Sequence, residues 1–161
     1  MQFIVRSARA SISRRRFERG TTLIEVLVSI VVLTVGLLGA VALQAASLRN
    51  NQSAHERSVA VMLSYSMSDM LRANATAAKA GSYNVSLSSG EDACPAPSGT
   101  DLPSKDLQSW FSALSANLGP NACGGVACNG GTSVCEVSVK WNDSRGKGGS
   151  NTQTLKTWVA L

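Results

Sequence analysis

Charge is scarce in this chain: Asp, Glu, Lys and Arg together make up 16% of 161 residues. A sequence so thinly charged, with 44% hydrophobic residues, is neither a disordered polyelectrolyte nor a coiled-coil rod. Histidine occurs once, at His55, with no nucleophile motif beside it. Neither a nucleophile elbow nor a P-loop is present: Gly146-Lys147 is followed by Gly148, and no glycine stands five residues before Gly146. Proline is absent before Pro95, so nothing interrupts helix over the first half of the chain. Positive charge is also missing where a nucleic acid would need it. The net charge is +5, but Arg6, Arg9, Arg14, Arg15, Arg16 and Arg19 face only Glu18 in the first twenty residues and account for all of it. Residues 21–161 hold nine basic and nine acidic side chains, and a neutral domain offers no surface for phosphates.

What the sequence does have is one long apolar run. Val26 to Leu48 is 23 residues without a charge, roughly 34 Å of helix. About 20 apolar residues cross a bilayer core, and the arginines before the run place the N-terminus on the cytoplasmic side. The run exceeds the 7–15 residues of an ordinary secretory signal. The Ala-rich stretch from Val41 to Ala46 could imitate a cleavage site, but Gly20, just before the run, is the sharper candidate.

The segment Arg19-Gly20-Thr21-Thr22-Leu23-Ile24-Glu25-Val26-Leu27-Val28-Ser29 resembles the class III signal of type IV prepilins and pseudopilins. The resemblance implies cleavage by prepilin peptidase between Gly20 and Thr21, N-methylation of Thr21, and a role in assembly for Glu25. Thr21 departs from the phenylalanine or methionine most frequent there. Further on, Gly36-Leu37-Leu38-Gly39, Gln44, Arg49-Asn50, Glu56-Arg57-Ser58, Met70-Leu71-Arg72-Ala73-Asn74 and Gly81-Ser82-Tyr83 resemble PilV-like minor pilins, the type IV pilus modification proteins. The likeness is good over residues 19–83, patchy over Trp110 to Pro120 and Cys135 to Asp143, and absent between. It implies an assembly protein with no catalytic residues, cofactor or metal. Its implied partners are other minor and major pilins met through the N-terminal helix, prepilin peptidase, the inner-membrane assembly platform and membrane lipid, with no nucleic acid. It implies a single pass of the inner membrane, with a periplasmic head, and later a place in the pilus. A minor pseudopilin of a type II secretion system would share the signal, and a membrane-anchored periplasmic binding module would keep its N-terminus intact.

The remaining sequence predicts an α+β, pilin-like fold: a long N-terminal helix, half membrane-spanning and half amphipathic, packed on a small antiparallel sheet. The expected organisation is a cleaved leader (1–20), a membrane or filament-core helix (21–48) and a periplasmic head (49–161). Val59, Met62, Leu63, Met67, Met70 and Leu71 recur at three- and four-residue steps and predict a core-facing stripe. That helix should fray near Lys79 to Gly81. A loop is expected over 88–103, then a short helix capped by Ser104, with Asp106 in its first turn and a stripe of Leu107, Trp110, Phe111, Leu114 and Leu118. Gly119-Pro120 should end it, and residues 121–133 read as turns around Asn129-Gly130. Cys135, Val137, Val139 and Trp141 alternate with polar residues and predict a strand with one face in the core. A polar loop, Asn142 to Asn151, leads to a last strand, Thr152 to Leu161.

Four cysteines, Cys94, Cys123, Cys128 and Cys135, lie beyond the apolar run, where an oxidising compartment favours disulfides. Three connectivities are open, and the preferred one pairs Cys128 with Cys135 and Cys94 with Cys123. The first closes a short loop around Asn129-Gly130, and the second ties the proline-rich loop to the end of the short helix. Zinc is disfavoured because Cys94 is remote and the Cys123–Cys128 spacing is wide. The acidic pair Glu91-Asp92 reads as a solvated turn.

Overall fold

The computed structural model describes residues 20–88, 94, 97–146 and 148–161. The leader arginines, Glu91-Asp92 and Lys147 therefore lie outside the described residues. Helix α1 runs from Leu23 to Ala73, as the proline-free, Ala- and Leu-rich sequence requires. The chain divides into two compact units, Met1–Val41 and Ala42–Leu161, taken in turn below.

In the second unit, the buried positions of α1 are Glu56, Ala60, Leu63, Ser64, Met67, Ser68 and Leu71, a single helical stripe. Met62 is not part of it. It lies about 100° round the helix from Leu63 and is 60% exposed, while Val59 and Met70 flank the core half-buried. The places left by the larger side chains are taken by two serines. Ser64 Oγ donates to the Val61 carbonyl and Ser68 Oγ to the Ser64 carbonyl, both at 2.8 Å, so neither buried hydroxyl lacks a partner. Asn74, at φ −125° and ψ 52°, separates α1 from a short helix α2, Ala75–Lys79. Gly81 then stops the helical path at φ +82°, where Gly81 N–H and Ser82 N–H cap the Ala78 and Ala77 carbonyls.

Helix α3, Leu102–Leu118, starts earlier than Ser104. Its N-cap is Asp101, whose carboxylate accepts from Ser104 N–H at 3.4 Å and from Ser104 Oγ at 2.7 Å. Pro103 fits the first turn because the amide it lacks would have had no helical partner. The Asp101 carboxyl is held below its ordinary value, chiefly by the Ser104 hydroxyl. The expected apolar stripe of α3 is buried throughout.

Three antiparallel strands, β1 (Cys123–Asn129), β2 (Val134–Trp141) and β3 (Gln153–Ala160), form a sheet in the order β1-β2-β3. The second and third match the expected strands, whereas β1 replaces what reads as turns. Its Gly124-Gly125 pair hides the alternation, and both glycines are needed. A Cβ at Gly124 would strike the Trp110 indole, and one at Gly125 would lie 2.9 Å from the Leu87 Cβ. The head portion of α1 and helix α3 pack on this sheet, the expected α+β, pilin-like arrangement. The Trp110 indole N–H donates to the Leu63 carbonyl at 2.9 Å and joins α3 to α1.

The polar face of β2 is also partly covered, which the alternation of β2 did not foretell. Val85 forms a bridge to Val126 at the outer edge of β1, and the Lys140 ammonium donates to the Ser88 carbonyl at 2.9 Å. Lys140 and Ser138 are buried in consequence.

Candidate functional site

Two groups of residues carry the expectations drawn from the sequence: Gly20, Thr21 and Glu25 in the first unit, and the four cysteines in the second. Gly20 and Thr21 precede the helix and are exposed. Thr22 caps α1, its Oγ1 accepting from Glu25 N–H at 3.3 Å and its carbonyl from the same N–H at 3.0 Å. Thr22-Leu23-Ile24-Glu25 is thus a capping-box sequence, Thr-x-x-Glu, with the Thr22 half formed. The four-residue pattern is legible in the sequence and sits beside the assembly role that the resemblance implies for Glu25. Glu25 is exposed in the first turn, where a carboxylate also favours the positive end of the helix. Ser29 Oγ donates to the Glu25 carbonyl at 2.6 Å. Thr21, Glu25, Val26, Ser29, Ile30 and Leu33 line one shallow concave strip, which brings Thr21 and Glu25 together.

The helix surface beyond is apolar on every side. An 18-residue window of α1 has a mean hydropathy of 2.8 with none of it buried, so the helix is long and apolar enough to cross a membrane. Gly36 and Gly39 face open space, leaving the backbone accessible there.

In the second unit, the disulfides are Cys94–Cys123 and Cys128–Cys135, the same pairing preferred above. Cys128 and Cys135 are direct cross-strand partners in the β1–β2 register. Cys94–Cys123 fastens the proline-rich segment to the first residue of β1. His55 is exposed on α1, and among the described residues no three His, Cys, Asp or Glu side chains gather as metal ligands.

Several residues that carry the resemblance to minor pilins turn out to link elements of the head. Arg57 donates to Asp143 Oδ2 through Nε at 3.3 Å and through a terminal nitrogen at 3.2 Å. Glu56 accepts from Arg145 at 3.0 Å and from Gln52 at 3.2 Å. These bonds fasten the loop after β2 to α1. Asn74 donates to the Tyr83 hydroxyl at 3.3 Å, which donates to Asp106 at 2.6 Å. Because α3 begins at Leu102, Asp106 lies past the first turn where it was expected, and it serves instead as a tie between α3 and the segment after α2. Burial, then the bond to Asp106, pushes the Tyr83 hydroxyl from an ordinary value of 10.0 up to about 12.

Residues 15–41 match the family model described as the prokaryotic N-terminal methylation motif. No curated protein and no solved structure matches the chain. The matched stretch contains Gly20, Thr21 and Glu25 and continues into the apolar part of α1. It supports a type IV pilin-like protein, a pilin or pseudopilin, and together with the apolar helix it fits anchoring in a membrane.

Proposed function

We propose that this protein is a minor type IV pilin of the PilV-like kind, incorporated into the pilus to prime or modify fibre assembly. The observation that carries the proposal is the methylation motif over residues 15–41, continued by the PilV-like patches through Tyr83. Residues 1–20 are the leader that prepilin peptidase removes after Gly20, and Thr21 is the methylated N-terminus. Residues 21–48 are the membrane and filament-core helix, and 49–161 form the periplasmic head. The partners are lipid, the inner-membrane assembly platform and other pilins, met helix to helix. No step calls for catalysis by this chain.

Cleavage gives Glu25 a second task. The new ammonium at Thr21 supplies a cation, and in a bundle of apolar helices the carboxylate of one subunit pairs with that group on a neighbour. Such a pair selects register more than it adds stability, because desolvation offsets most of its attraction. Two variants separate register from capping. Glu25→Val removes charge and capping side chain together, whereas Glu25→Gln keeps a residue suited to the capping box and removes only the charge. Both should be cleaved and stay in the membrane fraction, and both should be missing from sheared pili on immunoblots. Normal incorporation of Glu25→Gln would leave capping as the whole role of Glu25. The mass of protein from sheared pili should show loss of residues 1–20 and one methyl group. An intact Met1, or a cut near Ala45, would refute the proposal.

A further inference from the structure

The outward face of the sheet is divided between a covered end and an open end. The β1–β2–β3 register places three rows across it: Cys123, Lys140 and Thr154; Gly125, Ser138 and Lys156; and Ala127, Glu136 and Trp158. In the first row Cys123 and Lys140 are covered, through the Cys94–Cys123 disulfide and the bond from Lys140 to Ser88, while Thr154 is exposed at the β3 edge. The other two border a groove of about 460 Å³, walled on one side by Asn84 to Leu87 and floored by Gly125, Glu136 and Ser138, with Lys156 opposite. Asn84 is held in place by accepting Cys128 N–H at 2.7 Å, which leaves its NH₂ to donate.

Trp158 stands beside this groove, directly across from Glu136, and is 63% exposed. The other two tryptophans, Trp110 and Trp141, are buried in the core. The Glu136 carboxylate binds Lys156 at 2.8 Å and Ser138 Oγ at 3.0 Å, and its cross-strand neighbour Trp158 keeps its ring in solvent. Glu136 and Lys156 cancel in charge, so the groove favours neither an anion nor a cation. Its walls carry hydroxyl, amide, ammonium and carboxylate groups, which an apolar partner would leave unsatisfied. What suits an exposed aromatic ring, held at a set strand position beside a neutral array of donors and acceptors, is a ligand with an apolar face and a rim of hydroxyls. A pyranose has that shape: its C–H face lies against an aromatic ring, and its hydroxyls bond to planar polar side chains.

We propose that this face binds an uncharged carbohydrate chain, with Trp158 as the stacking platform and Asn84, Glu136, Ser138 and Lys156 as the hydrogen-bonding rim. The test uses the full chain in a zwitterionic detergent without a sugar headgroup, titrated separately with cellohexaose, chitohexaose and maltohexaose. Because Trp158 alone of the three tryptophans is exposed, acrylamide quenching of tryptophan fluorescence reports on it selectively. At least one oligosaccharide should give a saturable change and protect Trp158 from acrylamide. Trp158→Ala should abolish that signal and weaken calorimetric binding roughly tenfold, with near-ultraviolet dichroism of Trp110 and Trp141 unchanged. Lys156→Gln, which alters only the rim, should weaken binding without removing the fluorescence response. Absence of binding by all three sugars at millimolar concentration would overturn the proposal. So would unchanged affinity in Trp158→Ala, or protection of Trp158 by an extended peptide and by none of the sugars.

Discussion

Replacing Gly124 by alanine tests whether Trp110 is the piece that locks α3, the sheet and α1 together. The new Cβ would lie 2.9 Å from Trp110 Cε3 and closer still to Cζ3 and Cη2. The indole has little room to retreat. It is buried, it packs edge-on against Phe111 with centroids 5.6 Å apart, and its N–H is spent on the Leu63 carbonyl. Overpacking of this kind costs about 1–3 kcal/mol. Displacing the ring far enough to break its hydrogen bond adds about 0.5–1.5 kcal/mol. Against these, alanine recovers about 0.5–1 kcal/mol of backbone entropy that glycine loses on folding. The expected net destabilisation is about 0.5–4 kcal/mol, centred on about 2 kcal/mol, measured by urea unfolding of the full chain in micelles and followed by near-ultraviolet dichroism. The decisive measurement is the double variant. Trp110→Phe vacates the space that the methyl enters, so Gly124→Ala combined with Trp110→Phe should cost at least about 1 kcal/mol less than the two single changes added together. A neutral Gly124→Ala, or strict additivity, would refute the packing argument.

Alkaline titration should destabilise the head as Tyr83 ionises. Its folded value is raised, so its contribution is intact below pH 10 and is lost from there to about pH 12, at most about 3 kcal/mol; Tyr83→Phe should flatten that part of a stability–pH curve. The two disulfides should differ in worth by loop length: on the chain-entropy model, removing Cys94–Cys123, with a separation of 29, costs about 3.6 kcal/mol, and removing Cys128–Cys135, with a separation of 7, costs about 2.4 kcal/mol. Paired Cys→Ala variants compared by chemical unfolding check the order. Arg57→Ala should destabilise more than Asp143→Asn, by about 1–2 kcal/mol in unfolding experiments. It strands a carboxylate that is 1% exposed, whereas the reverse change leaves a guanidinium already half in water.

The parts of the fold that sequence made legible are those whose signal is local. Helix α1 is written in the absence of proline, the stripe of α3 in Leu107 to Leu118, and β2 in the alternation from Cys135 to Trp141. The parts that escaped are decided by residues far away along the chain. β1 reads as turns because Gly124 and Gly125 interrupt its alternation, and only the indole of Trp110 on one face and Leu87 on the other explain them. Lys140 reads as a solvated lysine and is buried because Ser88, 52 residues earlier, offers its carbonyl. The N-cap of α3 reads as Ser104, and the structure places it at Asp101 instead. Pro103 settles it, because a helix beginning at Leu102 places that proline in the first turn, where its missing amide costs nothing. At the candidate site, Gly20, Thr21 and Glu25 were legible as a pattern, while the open face beside Trp158 became visible only once the strand register was known.

The apolar half of α1 constrains what assembly can mean for such a protein. Fifteen large apolar side chains from Leu23 to Leu48 are exposed in the isolated chain. Leaving them in water would cost on the order of 20 kcal/mol, more than the whole stability of a typical domain. In the proposed function the helix therefore passes from lipid to a protein bundle without an aqueous interval. Lipid tails are as apolar as leucine, so burying these side chains among other helices gains almost nothing over leaving them in the bilayer. The preference for the bundle has to come from groups that lipid cannot satisfy. Along this stretch those are the Glu25 carboxylate, the hydroxyls of Ser29 and Thr34 already committed to the Glu25 and Val31 carbonyls, and the open backbone at Gly36 and Gly39. Of these, Glu25 is the only charge, and a charge is what separates one register from another when every other contact is interchangeable. Substituting leucine for valine along the helix should therefore leave incorporation into the fibre nearly unchanged, while a single change at Glu25 abolishes it.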